Sequence, residues 1–183
     1  KNKIEDGINL IEKSLRIDPN QPNALNNLGV FLQKHNRSLE ALDKYNRAIA
    51  IESNYPEAYS NRGNALMDLN RFEEALESYN HAIRIKNEYA QAWSNRGNTL
   101  KELNKLKDAL ESYSKAIEIN PNYANAYSNK GEVLKKLGYK EESIVCYQRS
   151  LELNPKSEFI SGELLNTKMH LCIWNNHTFQ VSE

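Results

Sequence analysis

Ala58-Tyr-Ser-Asn-Arg-Gly-Asn-Ala-Leu66 returns as Ala92-Trp-Ser-Asn-Arg-Gly-Asn-Thr-Leu100 and again as Ala126-Tyr-Ser-Asn-Lys-Gly-Glu-Val-Leu134, each copy 34 residues after the last. A looser copy, Ala24-Leu-Asn-Asn-Leu-Gly-Val-Phe-Leu32, stands one period upstream, so glycines recur at Gly29, Gly63, Gly97 and Gly131. Self-similarity at such an interval is the mark of a solenoid, in which units stack in a row and no globular domain count applies.

Each unit reads as a helical hairpin. From Pro56 to Tyr89, the first helix puts Tyr59, Gly63 and Leu66 on one face. A break follows at Asn70-Arg71, and a second helix carries Phe72, Ala75, Leu76, Tyr79, Ala82 and Ile83 inward. The same stripe recurs as Leu106, Ala109, Leu110, Tyr113, Ala116 and Ile117, then in weaker form as Lys140, Ser143, Ile144, Tyr147, Ser150 and Leu151. Pro22 and Pro56 open helices where a missing N–H costs nothing, while Pro19, Pro121 and Pro155 stop them. A glycine inside a helix costs roughly 1 kcal/mol against alanine, so four at one register are expected where paired helices approach closely.

The expected organisation is the second half of a repeat at 1–21, full repeats at 22–55, 56–89, 90–123 and 124–157, and a capping helix or junction at 158–183. The half repeat carries Ile4, Ile8, Ile11 and Leu15 at helical spacing, and the final segment carries Phe159, Ile160, Leu164, Leu165, Met169 and Cys172.

An aromatic four residues before the glycine, the glycine, alanine twelve residues on, an aromatic at sixteen, alanine at nineteen and proline at twenty-four form the row Trp93, Gly97, Ala109, Tyr113, Ala116 and Pro121. This row resembles the tetratricopeptide repeat. The resemblance implies an all-α, right-handed superhelical solenoid whose concave face is lined by the first helix of each hairpin. The chain departs from that pattern at Leu25, where an aromatic is usual, and at Ser53 and Asn87, where proline is usual. Arg62, Arg96 and Lys130 stand where leucine is usual.

Asn27, Asn61, Asn95 and Asn129 each lie two residues before a glycine, with Ser60, Ser94 and Ser128 beside them and Asn64 and Asn98 three residues further on. Stacking would align them as a polar ladder. A carboxamide both donates and accepts, so a row of them suits capture of an extended peptide through its backbone, whatever its side chains. The competing reading is repeat duplication without a ligand. Arg62, Arg96 and Lys130 form a second ladder about 100° around each helix, expected to border the groove. They would either attract acidic residues of a partner or pack by their stems and pair with Glu73, Glu74 or Asp108. Lys34, Lys101, Lys135 and Lys136 offer a weaker alternative, a clamp on a partner's C-terminal carboxylate.

Lys+Arg and Asp+Glu are equal at 24 each, which gives no global field to draw a nucleic acid, and no apolar run is long enough to span a membrane. Cys146 and Cys172 are too few for a disulfide framework. A cytoplasmic protein is expected. His170, Cys172 and His177 match no zinc spacing, and no set of acid, base and nucleophile converges, so no catalytic site, metal or cofactor is expected.

Leu164-Leu-Asn-Thr-Lys-Met-His-Leu-Cys-Ile-Trp174 is similar to the segment that joins the repeats to the catalytic region in bacterial SPINDLY-like O-linked N-acetylglucosamine transferases. That resemblance implies a substrate-recognition region of a larger glycosyltransferase, in whose relatives the asparagine ladder lines the groove. The other contexts are a free-standing scaffold or co-chaperone-like adaptor, and end-to-end self-association through the half repeat.

Overall fold

A computed structural model of the chain describes residues 2–170. Among these residues the regular structure is entirely α-helical, and the chain divides into two compact units. The first, Lys1–Lys105, holds α1 (Asn2–Ile17), α2 (Pro22–Lys34), α3 (Ser38–Ile51), α4 (Pro56–Asp68), α5 (Phe72–Ile85) and α6 (Ala90–Glu102). The second, from Leu106, holds α7 (Leu106–Ile119), α8 (Ala124–Lys136), α9 (Lys140–Leu153) and α10 (Glu158–His170). No helix among the described residues is long and apolar enough to cross a membrane.

In the first unit α2 packs on α3 and α4 on α5, each pair an antiparallel hairpin, and α3 packs in turn on α4. Tyr45 and Tyr79 sit at the centre of these pairs with at most 1% of their surface exposed. The glycines make room for them: a Cβ on Gly29 would lie 2.6 Å from the Tyr45 ring, and one on Gly63 the same distance from Tyr79. In the second unit Gly131 faces Tyr147 in the same way, at 2.9 Å. The glycine register is therefore a close approach of helix to aromatic ring, which accounts for its cost in helix propensity.

The turn after each first helix also repeats. Asn36, Asn70, Asn104 and Gly138 have φ of 60°, 57°, 56° and 89°. In the second of these turns Asn70 N–H donates to Met67 C=O (3.0 Å) and Arg71 N–H to Leu66 C=O (2.9 Å). This pair of bonds is a Schellman ending, which needs one left-handed residue; glycine and asparagine tolerate that conformation best. Arg71 then closes on Glu74 through two 2.6 Å bonds, as Arg37 does on Glu40.

At the end of the described chain α10 packs on α9. It begins 34 residues after α8 and so occupies a first-helix register. The wide apolar face expected there is divided: Ile160 is buried and Leu164 half-buried, whereas Phe159, Leu165 and Met169 are exposed. The reason is helical geometry, since Leu165 and Met169 project from the side opposite Ile160 and Thr167, and Phe159 stands about 100° around the helix from Ile160. Cys172, Trp174 and His177 lie outside the described residues.

Candidate functional site

The first helices α2 and α4 touch, and between them runs an open groove of about 710 Å³. Val30, Gln33 and Lys34 line it from α2, and Asn61, Asn64 and Asp68 from α4. On α4 these three positions fall within about 60° of one another, which is why one helix presents all of them to one side.

The polar side chains of the groove are tied to each other across repeats. Asn61 Nδ2 donates to Asn26 Oδ1 and Asn95 Nδ2 to Asn64 Oδ1, both at 2.9 Å. Asn64 Oδ1 also accepts the Tyr79 hydroxyl at 2.7 Å, so the carboxamide links the buried core to the surface. Gln33 is held in the same manner: its Oε1 accepts from Tyr45 at 3.2 Å while its Nε2 donates to Asp68 at 2.7 Å, and Ser38 donates to the same Asp68 oxygen at 2.9 Å. Burial first and the Asp68 charge second raise the Tyr45 and Tyr79 phenols well above the usual tyrosine value, so both hydroxyls remain protonated donors. Each of Asn61 and Asn95 spends one N–H on a neighbouring repeat, which leaves its oxygen and a second N–H outside that bond.

The structure separates the residues expected together in this groove. Asn61 and Asn64 line it, Asn95 bonds to it, and Asn27 is exposed on α2. Asn98 and Asn129 are half-buried and engaged in contacts of their own. Ser60 and Ser94, expected on the open face, are buried at 1% and 2% exposure. Their position lies only about 60° from the glycine line, within the packed stripe, and Asn26 at the same position is also buried. Arg62 and Arg96 do not border the groove. Arg96 turns to the seam between α5 and α6, where its Nε donates to Asn80 Oδ1 at 2.8 Å. Glu74, a suggested partner for this ladder, is bound by Arg71 instead.

Lys130 is half-buried on α8. Burial raises the pKa of the Cys146 thiol; the Lys130 charge opposes that shift and Glu142 adds to it. Of the lysines considered for a carboxylate clamp, Lys34 lines the groove and Lys101 is engaged. Lys135 is ion-paired with Glu163 and Lys136 with Glu132. Glu163 occupies the register of the ladder asparagines, 34 residues after Asn129, so on α10 the cross-repeat tie becomes an ion pair. Gln33, Asp68 and Asn26 went unrecognised in the sequence. Gln33 and Asp68 lie three to four residues after groove-lining positions, the spacing that shares a helix face, and that spacing could have found them. Among the described residues no group of three potential metal ligands comes together.

These hairpins, with their glycine–tyrosine contacts and a polar face of first-helix carboxamides, define an α-helical repeat protein with an open polar groove. Models of the tetratricopeptide repeat match residues 39–70, 63–104 and 97–138, and further ones match 124–157 and 10–43, so the chain belongs to the tetratricopeptide-repeat family. No curated protein matches it. Among solved structures it is similar to MamA, at 24% identity over 85% of this chain and 91% of that one, with a TM-score of 0.78. It is similar to TTC0263 of Thermus thermophilus, a thermophilic TPR protein, at 22% identity over 92% of both chains and a TM-score of 0.75. YrrB, described as a TPR protein with an unusual peptide-binding site, matches at 22% identity over 90% of this chain and 85% of its own, with a TM-score of 0.74.

Proposed function

We propose that the protein is a protein-interaction module that holds an extended peptide in the α2–α4 groove through the backbone of the ligand. The single observation that carries this reading is the set of carboxamides of Asn61, Asn64 and Gln33, each oriented by a cross-repeat or core hydrogen bond within one open groove. Donors and acceptors fixed beforehand lose little entropy on binding, and amides in a row match the alternating N–H and C=O of an extended chain. That YrrB is described by a peptide-binding site agrees with this use of the fold.

The test is the double substitution Asn61→Ala with Asn95→Ala, read by titration calorimetry with a bound peptide and by circular dichroism. Two lost contacts of about 1 kcal/mol each weaken binding roughly 30-fold. Undiminished affinity in a folded double variant overturns the reading.

A finer reading sets the module beside a glycosyltransferase domain as its substrate-recognition region. It rests on the resemblance of Leu164–Trp174 alone. Sequence downstream of Glu183 tests it: a nucleotide-sugar domain supports it, and an unrelated domain removes it.

A further inference from the structure

Asp68 is the last residue of α4 and lines the α2–α4 groove, where its charge runs against the helix. The unpaired carbonyls at a helix C-terminus disfavour an anion and favour a cation. The other helices of first-helix register follow that rule: α2, α6, α8 and α10 each carry a lysine in the last turn. Lys34 and Lys136 stand at the repeat position of Asp68, and Glu102, at that position of α6, has Lys101 beside it. The last turn of α4 has no basic residue, and among the described residues Asp68 meets no cation.

The carboxylate is nonetheless held in place. Gln33 Nε2 and Ser38 Oγ donate to the same oxygen, Oδ2, at 2.7 and 2.9 Å, and Gln33 is itself fixed by the buried Tyr45 hydroxyl. Oδ1 takes no part in these bonds, and the residue is exposed. After burial, the Asp68 charge is the second cause that raises the Tyr45 and Tyr79 phenols, so its field extends to the two hydroxyls that hold Gln33 and Asn64. Lys34 is the one cation among the described residues of the groove lining, and no side chain holds it. A charge already fixed loses less freedom on binding than a free lysine, so Asp68 is the charge that decides what the groove prefers.

We propose that Asp68 is a specificity-determining residue of the α2–α4 groove, which selects an extended peptide carrying a basic side chain, arginine or lysine, at the end of α4. The proposal rests on the backbone capture described above and adds to it a preference for one class of side chain. A guanidinium or ammonium group donates to Oδ1 and supplies the cation that this helix end lacks. Val30 and Leu69 give its aliphatic stem an apolar lining. Asn61 and Asn64, seven and four residues before Asp68 on the same helix face, remain for the backbone of the peptide.

The test is titration calorimetry of the full chain with three capped alanine–serine decapeptides that differ at one central residue: arginine, its neutral isostere citrulline, or glutamate. The arginine peptide is expected to bind at least fivefold tighter than the citrulline peptide, by a margin that shrinks as salt rises. Asp68→Asn keeps an acceptor for Gln33 and Ser38 but removes the charge, and it is expected to bring the two peptides within twofold of each other, whatever their absolute affinities. Equal binding of the arginine and citrulline peptides by the unaltered chain, or an arginine advantage that survives Asp68→Asn, overturns the proposal and leaves backbone capture standing. Tighter binding of the glutamate peptide than of the arginine peptide overturns it as well, since Lys34 would then set the preference. Binding of none of the three removes both readings.

Discussion

The Tyr79 hydroxyl donates to Asn64 Oδ1 across 2.7 Å, joining the most tightly packed ring of its hairpin to a carboxamide of the groove. The ring fills the space left by Gly63, and its oxygen reaches through to fix a residue that also accepts from Asn95 in the following repeat. Packing, repeat stacking and the groove thus share one atom.

Removal of that atom is expected to register in stability. Tyr79→Phe keeps the ring and leaves Asn64 short of one donor, at a cost of about 1 kcal/mol. Tyr147→Phe is the counterpart, because the Tyr147 hydroxyl is buried without a hydrogen-bond partner; its loss is neutral or slightly stabilising. Thermal melts of the two variants check the contrast, and an equal fall in both contradicts it.

Gly63→Ala places a methyl 2.6 Å from the Tyr79 ring, so the ring must shift. The expected net cost is on the order of 1–3 kcal/mol despite the gain in helix propensity. Gly162→Ala on α10, where a Cβ meets nothing within 4 Å, is expected to stabilise by about 0.5–1 kcal/mol. Denaturant unfolding of both variants measures the difference in sign.

Stability is expected to fall at alkaline pH. Burial raises the phenols of Tyr45 and Tyr79 above their ordinary value of 10.0 and pushes that of Tyr147 up to about 12. The fold favours the protonated ring, so this contribution is fully present below the unfolded value near pH 10 and is lost as pH rises through the folded values. Melting temperature against pH, with tyrosinate absorbance recorded alongside, should show these rings ionising only as the helices melt. Complete ionisation near pH 10 with the helices intact contradicts it.

Glu163→Asn restores to α10 the residue that earlier repeats carry at this register, and it removes the ion pair with Lys135. The pair is partly exposed, so the global cost is at most about 1 kcal/mol. Faster amide exchange confined to α10 is the expected signature; unchanged exchange there shows that the pair does not hold the helix.

The period, the hairpin and the role of the glycines were legible in the sequence because each rests on spacing, and the tyrosines opposite the glycines follow from the same period. The groove was legible in part. Asn61 and Asn64 share a helix face by number alone, but the burial of Ser60 and Ser94 depends on how closely the neighbouring hairpin approaches. Arg62 and Arg96 were expected at the groove, since about 100° from the asparagines can lead either to its rim or to the next seam. For Arg96 the positions of α5 and Asn80 decide for the seam. The left-handed turn at Asn36, Asn70 and Asn104 was visible only as a break, because asparagine occurs as readily in ordinary helix ends.

The most direct measurement of backbone capture is a nuclear magnetic resonance titration of the carboxamide signals of Asn61 and Asn64 with a capped alanine–serine decapeptide and with its backbone N-methylated form. The unmodified peptide is expected to shift both carboxamides and the methylated peptide, which lacks the N–H donors, to shift neither. Equal shifts from the two peptides, or none from either, contradict a groove that reads the backbone.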